Sequence, residues 1–272
     1  MDKSDGTTWE ATQRTDSAPR APKPPMSRWR AAGIHLLISA GIAAVVLALM
    51  LGVWYGPTLF QAMGGAGLAL ILVGVDVVLG PALTLIVFRS GKRGLKLDLA
   101  AIALLQLAAL LYGCYIVGLA RPAFIVFVKD QFQVATVAEL EPQYLAEARY
   151  AEYRRAPWSG PELVYGDWPK DQEEQQQLMF AGLAGVDLQH FPKYYAPYEQ
   201  GKDEILAKAQ PLSSVRTTEP EAAKVIDEWV ARSGADAQNL RYVRLRGRNA
   251  WVAVLIDGRT AHPVKMLLTE RF

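Results

Sequence analysis

The sequence holds one cysteine in 272 residues, Cys114, and three histidines, His35, His190 and His262. A lone thiol excludes an intramolecular disulfide framework and a thiolate metal site. Charge is scarce in one stretch. Residues 31–120 carry only Asp76, Arg89, Lys92, Arg93, Lys96 and Asp98, and the other 182 residues carry 50 charges. Overall 51% of residues are apolar and 21% charged. The split makes one third of the chain membrane-like and leaves the rest with soluble-domain composition. That excludes a wholly soluble protein, a disordered chain and a pure helical-bundle transporter. The net charge of +2 is too small to argue for nucleic acid. No Gly-rich phosphate loop or Gly-x-Ser-x-Gly elbow stands beyond residue 121. No catalytic, cofactor-binding or metal-ligating set is expected. Scattered carboxylates leave a two-carboxylate hydrolase as a remote alternative.

Three apolar stretches are present, at about residues 31–55, 67–88 and 97–119. Each is long enough to cross about 30 Å of hydrocarbon. The expected class is therefore a membrane protein with three transmembrane α-helices. The tail, residues 1–30, is read as disordered. It carries Lys3, Arg14, Arg20, Lys23, Arg28 and Arg30; the loop at residues 56–66 has no charge; Arg89, Lys92, Arg93 and Lys96 follow the second stretch. By the positive-inside rule the tail and the second loop are cytoplasmic. The domain at residues 121–272 is then periplasmic in a Gram-negative source. Trp29, Trp54, Tyr55, Tyr112 and Tyr115 fall near the span ends, as in aromatic belts. The polar stretch before the first span, with Pro19, Pro22, Pro24 and Pro25, is too long for a usual signal-peptide n-region, so an uncleaved span is expected. Met26, followed by Ser27-Arg28-Trp29-Arg30, is a natural alternative start to Met1.

Asp76 lies near the middle of the second span. A carboxylate there costs roughly 2.5–3.5 kcal/mol on insertion scales and should face the bundle. By helical rise it is about 18 Å deep, with Gln106 and Ser39 at about 12–14 Å and His35 at about 6 Å. Three readings stay open: a binding or proton-handling carboxylate, one satisfied by Gln106, Ser39 or backbone that fixes the packing, or one that meets a partner helix. A paired-carboxylate intramembrane protease is excluded, because Asp98 sits at the cytoplasmic boundary. Gly74 and Gly80, with Pro81 following, suggest close helix contact and a kink. Gly33 and Gly41 suggest a second small-residue face.

The region beyond Arg121 reads as an α+β domain with an antiparallel sheet. Strands are expected at residues 124–128 and 132–137 and in a closing meander at 242–246, 250–256 and 263–268. Helices are expected at 142–155, 171–183, 198–210 and 219–232, the last with Thr218 and Glu221 as a capping box and Gly234 as its stop. Arg244, Arg246 and Arg248, spaced by two, suggest a basic strand face for an acidic partner or lipid head groups. The aromatic loop with Tyr194, Tyr195 and Tyr198 suggests an interaction surface.

Residues 26–40 resemble the opening of the TfpX/TfpZ family of type IV pilin accessory proteins. The segment Gly74-Val75-Asp76-Val77-Val78-Leu79-Gly80-Pro81-Ala82-Leu83-Thr84-Leu85 is similar to that family's most recognisable stretch. Gly94-Leu95-Lys96-Leu97-Asp98-Leu99 and Arg121-Pro122 continue the match. The resemblance implies an inner-membrane protein that works with a cognate type IV major pilin, with no established reaction and no catalytic residues. A pilin waiting in the membrane as one apolar helix with a periplasmic head would be held by the Gly-lined and Asp76-bearing faces and by the outer domain. Homo-oligomerisation stays open. The rival is a small oligomeric transporter or ion-coupled sensor built on Asp76.

Overall fold

The computed structural model describes residues 27–89 and 92–271. The tail expected to be disordered, up to residue 26, and the alternative start at Met26 lie outside the described residues. Helix α1 (Arg28–Leu49) is capped by the Ser27 hydroxyl, which accepts the Arg30 N–H. It widens into a π-helical turn at Met50–Trp54. A short helix, α2 (Gly56–Ala62), turns the chain back. Helix α3 (Gly65–Val73), a second π-helical segment (Gly74–Leu79) and α4 (Gly80–Val87) form one continuous rod. Proline has no N–H to continue the usual ladder, and Pro81 follows the widened segment directly. Helix α5 (Leu95–Ala120) completes the set. Three helical stretches, Arg28–Trp54, Gly65–Val87 and Leu95–Ala120, are long and apolar enough to cross a membrane.

The rest forms an α/β domain on one mixed sheet. In chain order its elements are β1 (Pro122–Val128), β2 (Gln131–Thr136), α6 (Pro142–Ala146), β3 (Glu162–Gly166), α7 (Gln172–Leu183), β4 (Tyr195–Pro197), α8 (Lys202–Lys208), β5 (Gln210–Pro211), α9 (Leu212–Thr218), α10 (Pro220–Ser233), β6 (Leu240–Arg246), β7 (Ala250–Asp257) and β8 (Pro263–Arg271). The strand order is β4-β3-β1-β2-β6-β7-β8, with β5 on β6.

The expected antiparallel sheet is corrected to a mixed one. The β1–β2 hairpin and the β6–β7–β8 meander are antiparallel, whereas β1 pairs with β3 and β2 with β6 in parallel. Parallel neighbours need long crossovers. Residues 137–161 supply one and the helical excursion from α6 to α10 supplies the other. The expected helix at 142–155 stops at Ala146. Thr218 ends α9 instead of capping α10, whose N-cap is Glu219 without a side-chain cap bond. Gly234 does end α10, with φ of 68°.

Both sheet faces are covered. Leu212 and Val215 of α9 and Ala222 and Ile226 of α10 pack with Tyr242 and Leu255 on one face. On the other face, Val243, Leu245, Val252 and Val254 share a core with Met50, Trp54, Leu59, Ala62 and Val117 from the helix ends. Each such large side chain contributes roughly 1.5–3 kcal/mol on burial. The sheet therefore sits directly on the ends of the long helices.

Several contacts join the two parts. The Asn249 N–H donates to the Ala62 carbonyl at 2.7 Å, and the Thr58 hydroxyl donates to the Met266 carbonyl at 3.2 Å. The Arg121 guanidinium stands beside the edge-to-face pair of Trp54 and Trp158, 5.9 and 5.5 Å from their ring centres. It also donates to the Pro157 carbonyl at 2.8 Å. Gly160, with φ of 106°, lets the chain pass so close to the Val53 carbonyl that a Cβ would stand 2.7 Å from it.

Candidate functional site

Helices α1 and α5 each pack on the α3–α4 rod and barely meet each other. A trough is left between them. Its floor is Asp76, in the π-helical segment, which is only 7% exposed. Its walls include His35, Ser39 and Ile42 from α1 and Gln106 and Leu107 from α5, around a cavity of about 210 Å³. A second cavity of about 260 Å³ lies on the other side of Asp76, between α3 and α5. Its lining is almost wholly apolar and includes Leu72, Val75 and Gly113. The Leu72 side chain lies over Gly113, where a Cβ would stand 2.3 Å from Leu72 Cδ1.

The trough carries unmet hydrogen-bonding capacity. Asp76 Oδ1 and Gln106 Oε1 are enclosed and have no partner among the described residues. An enclosed acceptor without a donor is costly, more so on a carboxylate. The structure thus gathers Asp76, Gln106 and Ser39, which helical depth groups together, and adds His35 to the same lining, which that depth sets apart as too shallow. Gly80 explains how Gln106 reaches the rod, since a Cβ there would stand 1.9 Å from Gln106 Nε2. Gly74, Gly33 and Gly41 have nothing within 4 Å of a would-be Cβ. Of these glycines only Gly80 makes the expected close helix contact among the described residues.

Thr84 is a residue that sequence reasoning misses. It is buried, and its hydroxyl pairs with His35 Nδ1 at 2.6 Å. Thr84 stands four residues from Phe88, about 6 Å deep by helical rise, which is the depth of His35. The same arithmetic applied to threonine would have found the pair. Asp98 is held far from Asp76, paired with Lys92 at 2.5 Å.

The outer candidates fare differently. Tyr194, Tyr195 and Tyr198 are buried, so their loop is no aromatic surface. Tyr195 donates its hydroxyl to the Gln189 carbonyl, and Tyr198 to the Ala261 carbonyl at 2.7 Å. Burial raises both phenol pKa values above the ordinary one. Tyr195 is held in the core by β4 itself, and Tyr194 and Tyr198 pack in from the short turns on either side of that strand. The three arginines do not form one strand face. Arg244 is engaged, with its guanidinium 2.8 Å from Glu219 and 4.6 Å from the Trp251 ring centre. Arg246 ends β6 exposed, and Arg248 stands exposed in the β6–β7 turn. That turn abuts Ala62, so both exposed guanidines are at the end of the domain nearest the long helices.

The arrangement defines a class: three helices fit to cross a membrane, with a mixed-sheet domain seated on their ends and a polar-floored trough between two of them. Residues 25–65 match the family described as "Fimbrial assembly protein FimB". A "Fimbrial assembly protein, serogroup I" of Dichelobacter nodosus is 34% identical over 185 residues, 66% of this chain and 71% of that protein. A serogroup E1 counterpart from the same organism is 32% identical over 184 residues, again 66% and 71%. A third, of serogroups C1 and C2, is 36% identical over 119 residues, 43% of this chain and 90% of that protein. The chain belongs to the fimbrial assembly protein family. No solved structure matches it.

Proposed function

We propose that this chain is an inner-membrane accessory protein that binds a cognate type IV major pilin and supports its stability or its assembly into pili. Family membership supports the assembly role, because the relatives are named for fimbrial assembly. The resemblance to the TfpX/TfpZ family supports the narrower type IV assignment. The observation that carries the reading is the core shared by the helix ends and the sheet. It seats the outer domain on the ends of the long helices, which suits a partner with an apolar helix and a folded head.

The basic flanks support an orientation with residues 1–30 and the loop after α4 in the cytoplasm, residues 31–120 in the bilayer and residues 121–272 in the periplasm. Arg246 and Arg248 then lie where lipid head groups lie. The role needs no catalysis, cofactor or nucleic acid, and it allows a homo-oligomer.

A second reading is favoured by one observation, the enclosed Asp76 carboxylate with an unmet oxygen. It is a small oligomeric transporter or ion-coupled sensor. Mild detergent extraction followed by purification of the tagged chain tests the first reading. Pilin should co-purify. A transporter would purify without it.

A further inference from the structure

Asp76 and Gln106 line a trough whose two walls are held apart, and each has an enclosed oxygen, Oδ1 and Oε1, without a partner among the described residues. The remaining lining is mainly aliphatic. Water is scarce at such a depth, so the donor must come on an apolar body. A fourth apolar helix meets both demands. We infer that the α1–α5 trough is the seat of one membrane-spanning helix of the partner, which presents a hydrogen-bond donor to Asp76 and Gln106. This rests on the pilin reading above and names the contact within it.

The other cavity beside Asp76 is a poorer seat. It lacks Ser39, His35 and Gln106, and Leu72 already fills part of it over Gly113. A second copy of the chain is also a poor occupant. The exposed faces of its long helices carry Leu37, Val45, Ile71, Ile86 and Leu104, which donate nothing. Its exposed hydroxyls, Tyr112 and Tyr115, lie toward the outer end. A lipid chain brings no donor at all. Hydrogen-bond complementarity therefore selects a different helix, one with a hydroxyl or amine donor at the depth of Asp76.

The test places a photo-reactive residue at Leu107 or Ile42 in the full-length chain, in membranes of a host that makes the pilin. Leu37 and Ile86 serve as controls outside the trough. Products are read with antibodies to the pilin and to the chain, normalised to the amount of chain inserted. Pilin capture is expected at Leu107 and Ile42, at least about tenfold above the controls. Asp76→Leu should cut capture at Leu107 by about three- to tenfold, the range of hydrogen bonds between helices in a bilayer. Asp76→Asn should retain most of it, and Ile42→Trp, which fills the trough from the other wall, should lose it. Equal capture at the controls, a product made of two copies of the chain, or indifference to both Asp76→Leu and Ile42→Trp would overturn the inference. If the trough captures nothing while detergent co-purification persists, the seat alone is wrong. If co-purification is absent too, the pilin reading fails with it.

Discussion

Asn249 donates its backbone N–H to the carbonyl of Ala62, 2.7 Å away, and so ties the β6–β7 turn to the end of α2. Gly247 makes this possible. A Cβ there would stand 2.6 Å from the Ala250 carbonyl oxygen and 2.8 Å from that of Ala62. Both are backbone atoms and cannot swing aside. Gly247→Ala is expected to cost about 1–3 kcal/mol, typical of overpacking. Thermal unfolding of the detergent-solubilised protein checks this, with a lowered midpoint expected.

Arg121 makes the other junction. It is 7% exposed, packed against the Trp54–Trp158 ring pair, and bonded to the Pro157 carbonyl. Arg121→Ala should destabilise by about 1–3 kcal/mol, from a desolvated cation–π contact and a charge-assisted hydrogen bond. Arg121→Lys should recover only part, since it lacks the planar fork. Limited proteolysis within residues 155–161 is the measurement, and both variants should be cut faster.

The long helices are legible in the sequence because an apolar run of about 20 residues, nearly free of charge, matches the thickness of a bilayer and exceeds most core helices. Asp76 and Gly80 are legible for the same reason, as departures from an apolar run. Much of the outer domain is not. β3 has five residues and β4 has three, inside a loop rich in proline and aromatics. Such short strands form because the buried β1 offers an edge to β3, and β3 in turn offers one to β4. That is a tertiary cause with no local signal. Tyr195 looks like surface for the same reason: the pairing of β4 with β3 holds it in the core, while Tyr198, just past the strand, is held inward by its bond to the distant Ala261 carbonyl. His35 and Thr84 are separated by 49 residues, so their bond shows only when depths on different helices are compared.

Thr84→Val keeps the shape of the side chain and removes the partner of His35. Hydrogen bonds between helices in a bilayer average about 0.6 kcal/mol. A small loss of stability is therefore expected, with pilin co-purification unchanged. A large loss of co-purification would move His35 and Thr84 from packing into binding.

Asp257 accepts backbone N–H groups from Arg259 and Thr260, at 2.8 and 2.9 Å, and the Asn239 side-chain amide at 2.7 Å. The backbone bonds chiefly hold its carboxyl below the usual carboxylate range. A depressed native pKa gives stability that is present above the unfolded value, about pH 4, and is lost as pH falls through the native one. Asp257→Asn should make the acid limb of a melting-temperature profile between about pH 6 and 3 shallower. An unchanged slope would mean that the turn does not hold the ionised form.

Asp76 separates the two functional readings. Asp76→Asn is near-isosteric and polar, so a pilin-binding protein should keep most of its co-purification. An ion-coupled protein should lose an ion- or pH-dependent activity while the chain still inserts.

Deleting the gene in a piliated host, then measuring total pilin and surface pili, tests the central claim most directly. Surface piliation should fall and be restored by the intact chain. A parallel fall in pilin level would indicate a stabilising role, and a normal level an assembly role. Unchanged pilin and unchanged piliation in the deletion strain would contradict the claim.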